Sequence, residues 1–143
     1  MAETVAGFRR VLTRGSSFPS LVETSSGRLA VLKLAGAGQG ARGLAIELIA
    51  GNIAGLAGLH VPRARPLLLP YGLPWQVGTD EFYEAVQRSA GWNLGVEYIP
   101  DAADLEAADV PALPVDFLGR LAAVDALLQN VDRTTANPNV LRD

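Results

Sequence analysis

A polar loop near the C-terminal end of the sequence holds residues that could carry out phosphoryl transfer. The segment 125–141 runs from a leucine-rich helix through Asp132 and Asn137 to an apolar strand start at Val140-Leu141. A carboxylate can accept the proton of an attacking hydroxyl, and an amide oxygen five residues further on can bind Mg²⁺. Asp-Arg-Thr and Asn-Pro-Asn are also ordinary turn sequences, so the loop alone leaves both interpretations open.

The single lysine of the chain is a second candidate. Of the 12 basic residues, 11 are Arg and one is Lys33. An ammonium is more compact and more strongly hydrated than a guanidinium, so a retained lysine is compatible with a specific role; codon bias with chance retention of one lysine is the alternative. Glu47 follows 14 residues later and is the only formally charged residue between Arg42 and Arg63. A carboxylate among small apolar side chains needs a partner, so we expect a cation close to Glu47; the alternative is that Glu47 reaches solvent at the helix edge.

Composition excludes several classes of function. The 143 residues, 49% of them hydrophobic, suffice for one globular domain with a core. Without cysteine and with His60 as the only histidine, thiol nucleophiles, disulfides and thiolate zinc sites are excluded, and a Ser-His-Asp triad has almost no material. The net charge of −3, with scattered arginines, predicts no nucleic-acid partner. The longest apolar stretch, 48–62, is too short to cross a membrane, and no signal sequence is recognisable, so we expect a cytoplasmic protein.

The alternation of apolar and turn residues predicts an α+β fold. Three antiparallel strands are expected over about 8–13, 20–24 and 28–34, the third almost wholly apolar and therefore central. A helix from about Ala41 to Gly58 lacks a charged face and is expected to be buried on most sides. The remaining predictions are an edge strand reaching 67–69, a loop over 70–78, a helix capped by Thr79 and ending near 89, a strand over 91–99 and a helix over 115–128.

Taken together, these features resemble the HipA-like kinases, a bacterial branch of the protein-kinase and phosphatidylinositol-kinase-like fold. The resemblance covers nearly the whole chain, and the residues that carry it are Gly15-Ser16-Ser17-Phe18-Pro19, Val31-Leu32-Lys33, Glu47, Gly58-Leu59-His60-Val61-Pro62, Asn130-Val131-Asp132-Arg133 and Asn137-Pro138-Asn139. It implies a protein-kinase-like α+β architecture. Residues 1–99 would form an antiparallel-sheet N-lobe with one buried helix, and residues 100–143 would begin a helical C-lobe.

The resemblance also implies ATP and Mg²⁺ as cofactors and a role for each matching residue. Lys33 would hold the α- and β-phosphates and pair with Glu47, while Ser16 and Ser17 would donate hydrogen bonds to the phosphates. Asp132 would be the catalytic base and Asn137 a magnesium ligand, so Lys33 and this loop are expected to converge on one triphosphate.

The resemblance gives other residues roles outside the chemical step. The backbone of Glu97, Tyr98 and Ile99 would form the hinge that meets adenine. Asn130 and Arg133 are expected to brace the catalytic loop, and His60 and Trp92 are interpreted as core or edge residues.

Two departures from the family pattern affect the expected activity. The sequence has no full G-x-G-x-x-G loop and no second metal-binding Asp after the catalytic loop, so we expect a kinase truncated before its site is complete. The implied reaction is transfer of the ATP γ-phosphate to a hydroxyl of a protein Ser or Thr, or of a small molecule. The alternative is a non-catalytic remnant that binds nucleotide or a partner. Self-association through the uncovered face of helix 115–128 is a further expectation.

Overall fold

The computed structural model describes residues 2–12, 18–74, 76–134 and 139–142. Ser16, Ser17 and Asn137, three of the predicted site residues, lie outside the described residues. The chain divides into two compact units. One consists of Met1–Ile49 and Pro62–Tyr98, and the other of Ala50–Val61 and Ile99–Asp143. The proposed assignment of 1–99 and 100–143 to two kinase lobes stays a prediction.

The first unit contains a five-stranded antiparallel sheet in the order β1-β2-β3-β5-β4. Its strands are β1 (Val5–Val11), β2 (Ser20–Thr24), β3 (Leu29–Lys33), β4 (Ala64–Leu69) and β5 (Gly91–Glu97). The predicted central place of the third strand and the predicted edge place of β4 are both confirmed, as is the α+β class. In the register of β3 and β5, Lys33 lies opposite Leu94.

The core of the sheet is completed by the short helix α2 (Asp80–Arg88). Thr79 caps this helix as predicted, since its hydroxyl accepts a hydrogen bond from the N–H of Phe82 at 3.3 Å. The Phe82 ring is buried and packs edge-to-face against Phe8 and Phe18, with centroids 5.6 and 6.0 Å away. The buried residues of this core are Val5, Val22, Ala30, Leu32, Leu34, Leu67, Leu69, Phe82, Ala85 and Val86.

The helix that follows β3, α1 (Gly40–Leu56), is less buried than predicted. Ile46, Ile49 and Leu56 are 54%, 58% and 90% exposed, so the prediction of a helix buried on most sides is wrong. A helix without charges tolerates burial, but burial also needs a layer to cover it. Among the described residues, the core of the sheet takes its helical side chains from α2 and not from α1.

The first strand begins earlier than predicted, at Val5 instead of near residue 8. Val5 is almost fully buried, and Thr4 forms an isolated bridge with Leu68 of β4. Tertiary contacts with another strand therefore extend β1 beyond the segment that its own sequence marks. The strand β5 ends at Glu97, two residues before the predicted limit.

The second unit is built around the helix α3 (Val115–Leu128), which has the bounds that were predicted. Ala54, Leu59 and Val124 are buried together, with Val61, Phe117, Leu121 and Leu128 packed around them. A 3₁₀ helix (Ala107–Ala112) and two short paired strands, β6 (Ala103–Asp104) and β7 (Leu141–Arg142), complete the unit. Among the helices of the described residues, none combines the length and the apolar character that crossing a bilayer requires.

Candidate functional site

The side chains of Lys33 and Glu47 form an ion pair between the last residue of β3 and helix α1. The predicted pairing is confirmed, although both side chains keep contact with solvent, with 26% and 41% of their surfaces exposed. A partly exposed pair contributes at most about 1 kcal/mol to stability. Its larger effect is geometric, because Glu47 holds the Lys33 ammonium in place. An ammonium has three N–H donors, so a hydrogen bond to Glu47 leaves others for a ligand.

The chain that follows Lys33 is anchored by two buried polar residues. The N–H of Ala35 donates to Oδ1 of Asn93, and the N–H of Gly36 donates to Oγ of Ser89, both at 2.8 Å. Ser89 is 2% exposed and Asn93 5% exposed. The Ser89 hydroxyl donates onward to the carbonyl of Ala85 at 2.6 Å, so these buried polar groups are satisfied.

Close packing at Gly36 explains why a glycine occupies this position. A Cβ there would lie 2.7 Å from Cβ of Arg88 and 2.8 Å from the carbonyl oxygen of Ala85. The path from Lys33 into α1 is therefore fixed against the end of α2. Sequence reasoning missed this anchor; the available signal was a pair of polar residues, Ser89 and Asn93, at the junction of α2 with a largely apolar strand.

The predicted hinge begins where β5 ends. The N–H of Glu97 donates to the carbonyl of Arg63 at 2.8 Å, and its Oε2 accepts from the N–H of Arg63 at 3.1 Å. Glu97 therefore uses its backbone donor within the sheet. Tyr98 and Ile99 lie beyond the strand and are half-buried. The contact of the Glu97, Tyr98 and Ile99 backbone with adenine stays a prediction.

The loop after α3 places Asp132 at an exposed position. Its N–H donates to Oδ1 of Asn130 at 3.2 Å. Asn130 in turn donates to Asp125, and the guanidinium of Arg133 donates to Asp125 at 2.7 Å and to the carbonyl of Asn139 at 2.9 Å. The prediction that Asn130 and Arg133 brace the loop is confirmed, whereas the part of Asp125 was missed.

Asp125 carried a signal that could have identified it. It lies in the last turn of α3, where the helix dipole disfavours a negative charge. A carboxylate at that place needs donors from outside the helix, and the loop supplies them. His60 and Trp92 are both exposed, so the interpretation of either as a core residue is wrong.

The described residues contain no group of three or more His, Cys, Asp or Glu side chains arranged to hold a metal ion. These residues alone therefore do not form a complete coordination site for a metal ion. Mg²⁺ often binds through one or two side chains together with substrate phosphates, and such a site needs far fewer protein ligands.

The chain was compared with models of known protein families, with curated proteins and with solved structures. The family model of the HipA-like kinases matches residues 5–143. The chain belongs to the HipA-like kinase family. Membership in the HipA-like kinases points to a kinase-type phosphotransferase, and the five-stranded antiparallel sheet of the first unit is compatible with a kinase-like N-lobe. Searches among curated proteins and among solved structures found no match.

Proposed function

We propose that this chain binds ATP with Mg²⁺ and transfers the γ-phosphate to the hydroxyl of a protein Ser or Thr. The observation that carries the proposal is the Lys33–Glu47 ion pair, which joins the central strand to the following helix in a member of the HipA-like kinases. A cytoplasmic location, where ATP is available, is part of the proposal.

Lys33 supplies positive charge to the α- and β-phosphates in this proposal. Glu47 occupies one side of the ammonium and leaves the remaining N–H donors for phosphate oxygens. The hydrogen bonds of Ala35 and Gly36 hold the chain directly after Lys33 against Asn93 and Ser89. Ser16 and Ser17 keep their proposed role as hydrogen-bond donors to the phosphates, and the backbone of Glu97, Tyr98 and Ile99 is proposed to meet adenine.

Asp132 orients the acceptor hydroxyl and takes its proton. A bond forms between the hydroxyl oxygen and the γ-phosphorus while the bond from that phosphorus to the bridging oxygen of ADP breaks. The proton passes to the Asp132 carboxylate. Asn137 is the residue proposed to hold Mg²⁺, which would supply positive charge to the phosphates.

The test compares nucleotide binding by the wild type with that by Lys33→Ala. At an ATP concentration about tenfold above Kd, binding stabilises a protein by about 1.4 kcal/mol, which raises Tm by about 4 °C for a chain of this size. Lys33→Ala should lose most of this shift with Mg-ATP. With adenosine, which has no phosphates, the wild type and the variant should behave alike.

Arg9→Ala provides the matched control, since Arg9 is a strand cation that forms an ion pair with Glu23. It should keep the full shift with Mg-ATP. An unchanged shift in Lys33→Ala would show that Lys33 does not contact phosphate and would overturn the proposed site. A lysine-dependent shift without any phosphotransfer would favour the non-catalytic alternative.

A further inference from the structure

The last turn of α3 contains a carboxylate for which the proposed chemistry has no direct use. The side chain of Asp125 is 18% exposed and lies at the carbonyl end of the helix. Backbone carbonyls at that end repel negative charge. Asp125 is therefore costly to keep there unless its contacts compensate.

Both oxygens of Asp125 accept hydrogen bonds from the loop that carries Asp132. Oδ1 accepts from Nδ2 of Asn130 at 2.9 Å, and Oδ2 accepts from Nε of Arg133 at 2.7 Å. The carboxylate thus binds the residue two before Asp132 and the residue directly after it. The Asp125–Arg133 pair is largely shielded from water, where a charge-assisted hydrogen bond is strong.

Two further hydrogen bonds extend this arrangement through the loop backbone. The N–H of Asp132 donates to Oδ1 of Asn130 at 3.2 Å, and Nη1 of Arg133 donates to the carbonyl of Asn139 at 2.9 Å. Arg133 thereby connects α3 to the chain beyond the loop. A lysine could not reproduce both contacts, because separate nitrogens of the planar guanidinium make them.

We propose that Asp125 is a positioning residue for phosphoryl transfer, which fixes the backbone on both sides of Asp132 and so the place of its carboxylate. This inference rests on the proposed function. A displacement of a catalytic group by about 1 Å can lower a rate by about 100-fold, so loss of the Asp125 contacts affects turnover more than nucleotide binding.

The test uses Asp125→Asn with Asp116→Asn as the matched control. Asn at position 125 can still accept from Asn130, but its amide nitrogen cannot accept from Arg133. Asp116 lies in the first turn of the same helix and pairs with Arg120 at 2.9 Å, with 78% of its side chain exposed. The measurements are amide hydrogen exchange over residues 130–134, the Tm, and kcat and KM for ATP.

Asp125→Asn should speed exchange of the Asp132 amide by at least about tenfold and lower kcat by at least about tenfold, while KM for ATP stays within about twofold. Asp116→Asn should do neither. The inference is overturned if the two folded variants have equal amide exchange and equal kcat. It is also overturned if kcat of Asp125→Asn falls only in proportion to the fraction of protein that is unfolded. If Asp125→Asn does not fold, Arg133→Lys is judged by the same criteria.

The exchange measurement separates this inference from the proposed function. If the wild type shows no phosphotransfer, the proposed function is wrong, and Asp125 then has no role in catalysis. Faster exchange of the Asp132 amide in Asp125→Asn would then still support fixation of the loop, and unchanged exchange would overturn that as well.

Discussion

Glu47 holds the ammonium of Lys33 across 14 residues of chain, and the pair links the central strand of the sheet to the helix that follows it. The pair is only partly buried, so its contribution to the free energy of unfolding is small. Loss of the ion pair should therefore change the orientation of the Lys33 side chain more than the stability of the fold.

Glu47→Gln should weaken nucleotide binding more than it weakens the fold. The neutral amide cannot balance the lysine charge, so we expect the Kd for Mg-ATP to rise several-fold while the free energy of unfolding changes by at most about 1 kcal/mol. Urea unfolding without nucleotide and a thermal titration with Mg-ATP measure the two quantities. Glu23→Gln, which removes the partner of Arg9, is the control; equal nucleotide affinity in both variants would argue against a role for Glu47.

Ser89→Ala should destabilise the fold by about 1–3 kcal/mol. The substitution leaves the N–H of Gly36 and the carbonyl of Ala85 without the partner they have in the native structure, in a region shielded from water. Urea unfolding measures the loss. A change below about 0.5 kcal/mol would show that the anchor after Lys33 is unimportant for stability.

Gly36→Ala should also destabilise, by about 1–3 kcal/mol, because the added Cβ meets the fixed backbone oxygen of Ala85. Gly119→Ala is the matched control. Apart from its chain neighbours and its own helix backbone, no atom of the described residues lies within 4 Å of a Cβ built at Gly119, and an alanine in a helix is more favourable than a glycine by up to about 1 kcal/mol. The two substitutions should therefore change the free energy of unfolding in opposite directions; a neutral Gly36→Ala would contradict the packing described here.

Acid should destabilise the first unit partly through Glu3. Hydrogen bonds from Ser26 and Thr24, supported by the charges of Arg65 and Arg28, lower the pKa of Glu3 from 4.5 to about 2. A carboxylate with a lowered pKa in the folded state stabilises above its unfolded pKa, and that contribution is lost as the pH falls from about 4.5 towards 2.

Glu3→Gln should accordingly be less stable than the wild type at pH 7 and lose less stability between pH 5 and about 2. Urea unfolding at several pH values measures how the free energy of unfolding of each protein depends on pH. Glu81→Gln, at an exposed position in the first turn of α2, controls for the loss of one carboxylate. Parallel pH profiles for wild type and Glu3→Gln would contradict the role assigned to this cluster.

Elements with strong local signals could be predicted from the sequence. The Thr79 cap, the bounds of the helix at 115–128 and the central place of β3 follow from capping chemistry and apolar periodicity. The need of Glu47 for a cation could also be predicted, because an isolated carboxylate on an apolar helix requires one. The choice of Lys33 as that cation came from the resemblance to the HipA-like kinases.

Features that depend on distant parts of the chain could not be predicted in this way. The anchors of Ala35 and Gly36 join residues 58 and 53 positions apart, and no local pattern encodes such a pairing. The exposure of α1 was missed for a related reason, since an apolar helix shows that burial is tolerated but not what would cover it. The roles of Ser16, Ser17 and Asn137, and the convergence of Lys33 and Asp132 on one triphosphate, stay predictions.

The most direct measurement of the central claim is phosphotransfer by the wild type and by Asp132→Asn. Both are incubated with Mg-[γ-³²P]ATP and a mixture of synthetic Ser- and Thr-containing peptides, and labelled peptide and nucleotide affinity are measured together. We predict transfer by the wild type, a rate lower by about 10²–10⁴-fold in Asp132→Asn, and a Kd for ATP within about twofold in the two proteins. Equal transfer rates, or loss of ATP binding together with transfer in a folded Asp132→Asn, would contradict the assignment of Asp132 as the base.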